Sequence, residues 1–244
     1  MGPCSTWSQE ADLEVEVIRS EGWPDVVGTS WIEFLEGAPS ARMCLPTGST
    51  PRPMYRRFVE LGGDLSESSI FLLDEFGLPP GSRARCDATI RRDLLDRLPE
   101  APSSVDTWNT GAADLRAECA RFAASVQRSG LDLTMLGIGR NGHLGLNEPG
   151  SLQDSPSRCV ELDEVTVEAA AAYGEGPLPT WGLTLGIQEI LGSDQIWLLA
   201  TGSHKAEILR AALLGDVTPA VPATYLQRHR RVTVFTDEAA ASLL

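Results

Sequence analysis

Leu131-Asp132-Leu133-Thr134-Met135-Leu136-Gly137-Ile138-Gly139-Arg140-Asn141-Gly142-His143 is the stretch on which the fold turns. Residues 131–138 form a short run, apolar but for Asp132 and Thr134, that reads as a strand covered on both faces. The run ends in glycines and polar residues, so the chain turns there. Outward from this segment the pattern repeats. Short apolar runs stand at 41–45, 70–73, 105–108, 196–200 and 232–235, and 13–18 alternates like an edge strand. Helical patterns fill the gaps at 51–61, 87–98, 114–126 and 203–214. Thr50-Pro51 reads as an N-cap followed by proline at the first helical position. Strands alternating with helices predict βαβ units, hence an α/β fold with a mainly parallel sheet. No internal repeat, low-complexity tract or long linker divides the chain, so residues 1–244 are expected to form one domain.

The 244 residues are 42% hydrophobic and carry 20 Lys and Arg against 34 Asp and Glu, a formal net charge of −14. That is too apolar for a disordered chain, and no apolar run approaches the ~20 residues of a membrane span. The opening Met1-Gly2-Pro3-Cys4-Ser5-Thr6-Trp7-Ser8-Gln9-Glu10 lacks the basic end and apolar stretch of a secretory signal. A soluble cytoplasmic protein, with no membrane association, is expected. Its acidic surface repels nucleic acid at long range, and an anionic ligand needs a local site that overcomes that field. Five cysteines, at 4, 44, 86, 119 and 159, contain no C-x-x-C pair, and there are only three histidines. Both facts argue against a disulfide framework or a metal centre.

Four of the apolar runs lead directly into polar clusters. Ligands bind where the strands of an open parallel sheet exit, so these clusters are expected to meet in one crevice. The first, Pro46-Thr47-Gly48-Ser49-Thr50-Pro51, is a small-residue loop entering a helix. It reads either as a phosphate cradle, with the Ser49 and Thr50 hydroxyls as added donors, or as an ordinary capped turn. The second, Asp74-Glu75-Phe76-Gly77-Leu78-Pro79, offers an acidic pair. Asp74 comes directly off the strand and suits a general base, with Glu75 on the opposite face; the alternative is a simply solvated pair. The third cluster, residues 137–150, places His143 in a glycine-rich loop with Glu148 near it in sequence. An imidazole can give and take a proton near neutrality, and the carboxylate can orient the ring. The fourth, Thr201-Gly202-Ser203-His204-Lys205, puts Lys205 at the first turn of a helix, where it opposes the helix dipole unless an anion binds. His204 and His229 read as surface residues.

Together, Thr47-Gly48-Ser49-Thr50-Pro51, Asp74-Glu75-Phe76-Gly77-Leu78-Pro79, Gly139-Arg140-Asn141-Gly142-His143 and Leu146-Asn147-Glu148-Pro149-Gly150 resemble the motifs of the glucosamine-6-phosphate deaminase family, a relative of 6-phosphogluconolactonase. Weaker likenesses are Trp108-Asn109-Thr110-Gly111, Gly182-Leu183-Thr184-Leu185-Gly186 and Gly202-Ser203-His204-Lys205-Ala206. Lactonases continue after the His with a Ser-Leu-Phe type segment. This chain has Leu146-Asn147-Glu148-Pro149, which favours the deaminase branch.

The resemblance implies a modified Rossmann-like, three-layer α/β/α sandwich. It implies conversion of glucosamine 6-phosphate and water to fructose 6-phosphate and ammonia, with no metal or organic cofactor. Asp74 is then the base acting between C2 and C1. His143 opens the sugar ring, with Asn141 and Glu148 as its relay. Gly48, Ser49, Thr50 and Lys205 hold the phosphate of this small-molecule substrate. A 6-phosphogluconolactonase, another sugar-phosphate isomerase and a non-catalytic sugar-phosphate binder are the alternatives.

The chain departs from the family pattern in several places. Asn141 stands where many deaminases have Asp. The Arg expected within Glu168-Ala169-Ala170-Ala171-Ala172-Tyr173-Gly174, a second phosphate ligand, is missing, with Arg158 or Arg140 as possible substitutes. Residues 80–87 lack the expected His/Ser/Tyr pattern. Val160 replaces a Lys of the allosteric hexameric members, and the chain stops at Leu244, short of their C-terminal extension. No amino-sugar effector site is therefore expected, and the protein is expected to be a monomer or small homo-oligomer.

Overall fold

The computed structural model describes residues 12–18, 22–171 and 176–244. Its strands are β1 (Asp12–Ile18), β2 (Arg42–Leu45), β3 (Ser69–Leu72), β4 (Asp74–Phe76), β5 (Ser104–Asp106), β6 (Leu133–Gly137), β7 (Arg158–Glu161), β8 (Trp181–Thr184), β9 (Ile196–Ala200) and β10 (Arg231–Asp237). Its α-helices are α1 (Trp23–Gly37), α2 (Pro51–Glu60), α3 (Cys86–Asp93), α4 (Leu115–Ser129), α5 (Glu164–Ala170), α6 (Ile187–Leu191) and α7 (Ala206–Leu214). Seven strands form one sheet in the order β1-β10-β9-β6-β2-β3-β5, and every pairing in it is parallel. From β2 the chain builds outward through β3 to β5. It then returns to the other side of β2 with β6 and builds through β9 to β10. The strand order thus reverses between β2 and β6, the place where an open α/β sheet leaves a crevice at its strand exits.

Helices cover both faces of the sheet, and side-chain alternation shows how. On β2, the Met43 sulfur accepts a hydrogen bond from the Trp31 indole of α1 at 3.2 Å. The next residue, Cys44, lies in register with Phe71 of β3, whose ring meets Phe122 of α4 edge-on. Successive strand residues point to opposite faces, so α1 and α4 lie on opposite sides. Trp31 stacks on Phe58 of α2, with ring centroids 3.9 Å apart, and Phe122 stacks on Trp108 at 3.8 Å. These are the two apolar layers of an α/β/α sandwich. The Trp108 indole donates to the Leu72 carbonyl at 2.8 Å, fixing the end of β3 just before Asp74.

A second sheet, β4-β8-β7, is antiparallel and sits beyond the exit of β3. Leu185 N–H donates to the Leu73 carbonyl and joins it to the main sheet. This small sheet, together with α1, α5 and α6, goes beyond the elements expected from sequence. Three further details differ. Thr50 has helical dihedrals and makes no side-chain cap, so Pro51 alone sets the start of α2. The helix expected over 87–98 starts one residue earlier, stops at Asp93 and gives way to a 3₁₀ turn at Leu95–Arg97. His229 is buried, with Nε2 on the Ser193 carbonyl and Nδ1 against the Arg231 backbone, rather than on the surface. The reading of residues 1–10 lies outside the described residues. No described helix is long and apolar enough to cross a membrane.

Gly182 of β8 shows how tightly the small sheet is packed within itself and against the loop after β6. A Cβ there would stand 2.7 Å from the Glu75 carbonyl oxygen and 2.4 Å from Leu146. Gly182→Ala should lower the unfolding free energy by about 1–3 kcal/mol, as overpacking does, read as a lower denaturant midpoint with an unchanged slope.

Candidate active site

Parallel pairing sends β2, β3, β6 and β9 out at the same edge of the sheet, and the four polar clusters follow them there. They line one cavity of about 650 Å3. Thr47, Gly48, Ser49 and Thr50 come from the loop after β2, and Asp74 from the exit of β3. Arg140 and His143 come from the loop after β6, and His204 and Lys205 from the turn after β9. Asn141 and Glu148 stand behind His143 rather than at the cavity.

His143 is held from behind. Its Nδ1 lies 3.2 Å from Glu148 Oε2 and 3.1 Å from the Thr166 hydroxyl of α5. Asn141 binds both ends of this arrangement: its Nδ2 donates to Glu148 Oε2 at 2.8 Å, and its Oδ1 accepts from His143 N–H at 3.2 Å. Burial pulls the Glu148 carboxyl upward, but hydrogen bonds from His143, Thr166 and Asn141 and the charge of His143 outweigh it and hold the pKa below its usual value. An ionised Glu148 accepts from Nδ1–H, which leaves Nε2 as the exchanging nitrogen. Nε2 lies over Gly139, where a Cβ would come within 2.5 Å of it. Only glycine permits that approach, which accounts for one glycine of the loop.

The acidic pair is not solvated, and its two members do different work. Burial pushes Asp74 up to about 6, against the opposing effects of the Cys86 thiol and the charge of His143. Glu75 is fully buried on the other side of β4. It accepts from the N–H groups of Cys86 and Asp87 at 2.8 and 2.9 Å and pairs with Arg85 at 3.2 Å. Two helix N-terminal donors and a guanidinium thus anchor the start of α3. Burial raises the Glu75 pKa, and these partners oppose the rise.

Lys205 precedes α7 and ends a 3₁₀ turn, so it is not in the first turn of an α-helix. Its ammonium donates to the Ile138 carbonyl at 2.6 Å, which fixes it at the exit of β6. Burial, aided by the nearby Arg140 charge, lowers it to about 8. Of the two candidate substitutes for the missing family Arg, only Arg140 lines the cavity. Arg158 instead donates to Asn147, Ser151 and the Pro156 carbonyl. Where the family Arg is expected, Ala169 and Ala170 face the cavity, while Ala172, Tyr173 and Gly174 lie outside the described residues.

Asn147 is structural. It is fully buried and donates to the Leu144 and Leu185 carbonyls, pinning the His143 loop to the chain leaving β8. Thr166 and Cys86 were not marked by the sequence, because a lone hydroxyl in a helix and a lone thiol carry no pattern. Among the described residues no three His, Cys, Asp or Glu side chains cluster as a metal site.

A family model described as glucosamine-6-phosphate isomerases/6-phosphogluconolactonase matches residues 27–235. The chain is 38% identical to glucosamine-6-phosphate deaminase 2 of Giardia intestinalis, covering 96% of this chain and 93% of that protein. It is 39% identical to the glucosamine-6-phosphate deaminase of Arthrobacter sp. (strain FB24), covering 95% and 93%. Among solved structures, a monomeric glucosamine-6-phosphate deaminase superposes with a TM-score of 0.90 at 34% identity, covering 95% of this chain and all of that one. The 6-phosphogluconolactonase of Thermotoga maritima, at 20% identity and a TM-score of 0.75 over 93% and 100% of the two chains, shares the fold.

The Glu75 clamp can be tested separately from any reaction. Glu75→Ala frees two buried helix N–H groups while Arg85 keeps its pair with Asp87, and should cost about 1–3 kcal/mol in a denaturant titration.

Proposed function

The chain belongs to the glucosamine-6-phosphate isomerase/6-phosphogluconolactonase family, and we propose that it converts glucosamine 6-phosphate and water to fructose 6-phosphate and ammonia. One observation carries this reading: Asp74, a buried carboxylate poised near 6, opens on the same cavity as His143 and Lys205. A lactonase needs no base for a C–H bond, whereas an aldose–ketose isomerase does.

In this reading the phosphate sits against the Gly48–Ser49–Thr50 loop and the Lys205 ammonium, with Arg140 supplying further positive charge in place of the missing family Arg. Protonated Nε2 of His143 gives its proton to the ring oxygen as the C1–O bond breaks, and the C1 hydroxyl returns its proton to Nε2 as the C1 carbonyl forms. Glu148 and Thr166 hold Nδ1 throughout, with Asn141 fixing Glu148. Asp74 then takes the C2 proton, the electrons of that C–H bond form the C1–C2 double bond while O1 takes the proton of His143 Nε2 to give the enol, and the Asp74 proton returns at C1 as the nitrogen lone pair closes on C2. The C2 nitrogen becomes an imine, which water hydrolyses to the ketone with release of ammonia. Burial supports Asp74 as the base, because a desolvated carboxylate holds a proton more strongly than a solvated one. The solved relative described as monomeric supports a monomer here, and a charged sugar phosphate, retained inside cells, supports a cytoplasmic enzyme.

Incubation with glucosamine 6-phosphate should yield ammonia and fructose 6-phosphate in equal amounts, and no release by the wild type would refute the assignment. Asp74→Asn should reduce kcat by at least about a hundredfold. Asp74 must be ionised to act, so activity rises with pH through about 6. Lys205 must be protonated to hold the phosphate, so kcat/KM falls as pH rises through about 8. Lys205→Met should lower kcat/KM by about tenfold or more, the size of a lost charge-assisted hydrogen bond, and should abolish that upper limb.

A further inference from the structure

Residues 80–87, which depart from the family pattern, bring a thiol to the carboxylate that faces the cavity. Cys86 Sγ lies 3.4 Å from Asp74 Oδ1, and both side chains are buried. The thiol is aimed by the other member of the acidic pair. Glu75 holds the Cys86 N–H at 2.8 Å and the Asp87 N–H at 2.9 Å, so the backbone that carries the sulfur is clamped on one face of β4 while the sulfur reaches Asp74. The Thr47 hydroxyl is a further hydrogen-bond partner of Cys86. One line of side chains therefore runs from the loop after β2, through the sulfur, to Asp74.

We infer that Cys86 is a positioning residue for the base: its S–H donates to Asp74 Oδ1, fixes the carboxyl plane, and leaves Oδ2 for the substrate proton. This rests on Asp74 being the base of the proposed reaction. Oδ2 lies against Gly145, a cavity-lining residue, where a Cβ would come within 3.4 Å of it. The choice of sulfur matters because a thiol is a weak donor. A hydroxyl at this position would stabilise the carboxylate more and weaken the base. A side chain without a donor would stabilise it less and leave its plane unfixed.

The thiol remains a donor across the working pH range. Burial and the charges of Asp74 and Glu75 hold it well above its ordinary value. Other groups within electrostatic reach of Asp74 are His143 from the loop after β6, Cys44 of β2 and Tyr55 of α2. Burial holds Cys44 and Tyr55 protonated, well above their usual values. A substitution at 86 changes none of these three.

The test compares wild type with Cys86→Ser and Cys86→Ala by two readouts. One is the 13C titration of the Asp74 carboxyl, assigned by its loss in Asp74→Asn; the other is the pH profile of kcat for ammonia release. The alanine variant should raise the Asp74 pKa and the serine variant lower it, each by about half a unit to one unit. The acidic limb of kcat should follow in both directions while KM at pH 8 stays nearly constant. An Asp74 titration that both variants leave in place, or move in the same direction as loosened packing would, overturns the inference. Should Cys86→Ala fail to fold, the serine variant decides alone: a downward shift supports the inference and an unmoved titration overturns it. A wild type that releases no ammonia while the 13C titrations still move apart would refute the deaminase reading and leave the thiol's hold on Asp74 standing.

Discussion

Everything at the cavity depends on parallel pairing. Because the strands of the main sheet all run in one direction, segments separated by up to some 150 residues of chain leave it at one edge. The reversal of strand order between β2 and β6 opens that edge, and the loops there need not pack against one another. A net charge of −14 would keep a sugar phosphate away from most of this surface. Arg140 and Lys205 collect at the crevice instead, so the local field opposes the global one. Lys205 is held there through the carbonyl of Ile138, the first residue past β6, the strand that pairs with β9. The backbone leaving the sheet thus places the ammonium directly.

The adjacent carboxylates Asp74 and Glu75 show how one strand of three residues serves two purposes. Alternation turns them to opposite faces. Glu75 meets two helix N–H groups and a guanidinium, a set of donors that anchors α3. Asp74 meets a single thiol and stays a stronger base than a carboxylate in water. Burial raises both carboxyls above their ordinary values; the donors decide which one is locked into the fold and which is left facing the cavity. The same logic runs through the histidine loop. Asn141 needs no charge, because its role in the geometry is to donate to Glu148 and accept from the His143 backbone. An amide does both.

The main sheet was legible because its strands are apolar on both faces and end in glycine or a polar cluster; residues 131–138 and 196–200 carry that signal without help. The crevice was legible for the same reason, since each cluster follows such a strand. The small antiparallel sheet was not legible. β4, β7 and β8 have three or four residues each, and what makes them strands is pairing with partners distant in sequence. Helix α1 did have a signal, the spacing of Trp23, Val27, Trp31 and Leu35, all of them buried. Thr50 looked like a cap and is not one, because Pro51 already presets the first turn and leaves the hydroxyl at the cavity. The burial of His229 rests on the Ser193 carbonyl, 36 residues away in sequence, a partner no local pattern records.

Whether Asp74 moves the hydrogen of C2 is tested most directly with glucosamine 6-phosphate carrying deuterium at that carbon. The geometry predicts a primary isotope effect on kcat, with the label leaving C2 and appearing at C1 of fructose 6-phosphate or in water, and neither event in Asp74→Asn. Turnover with the C2 label intact, or label loss at the wild-type rate in Asp74→Asn, would contradict it.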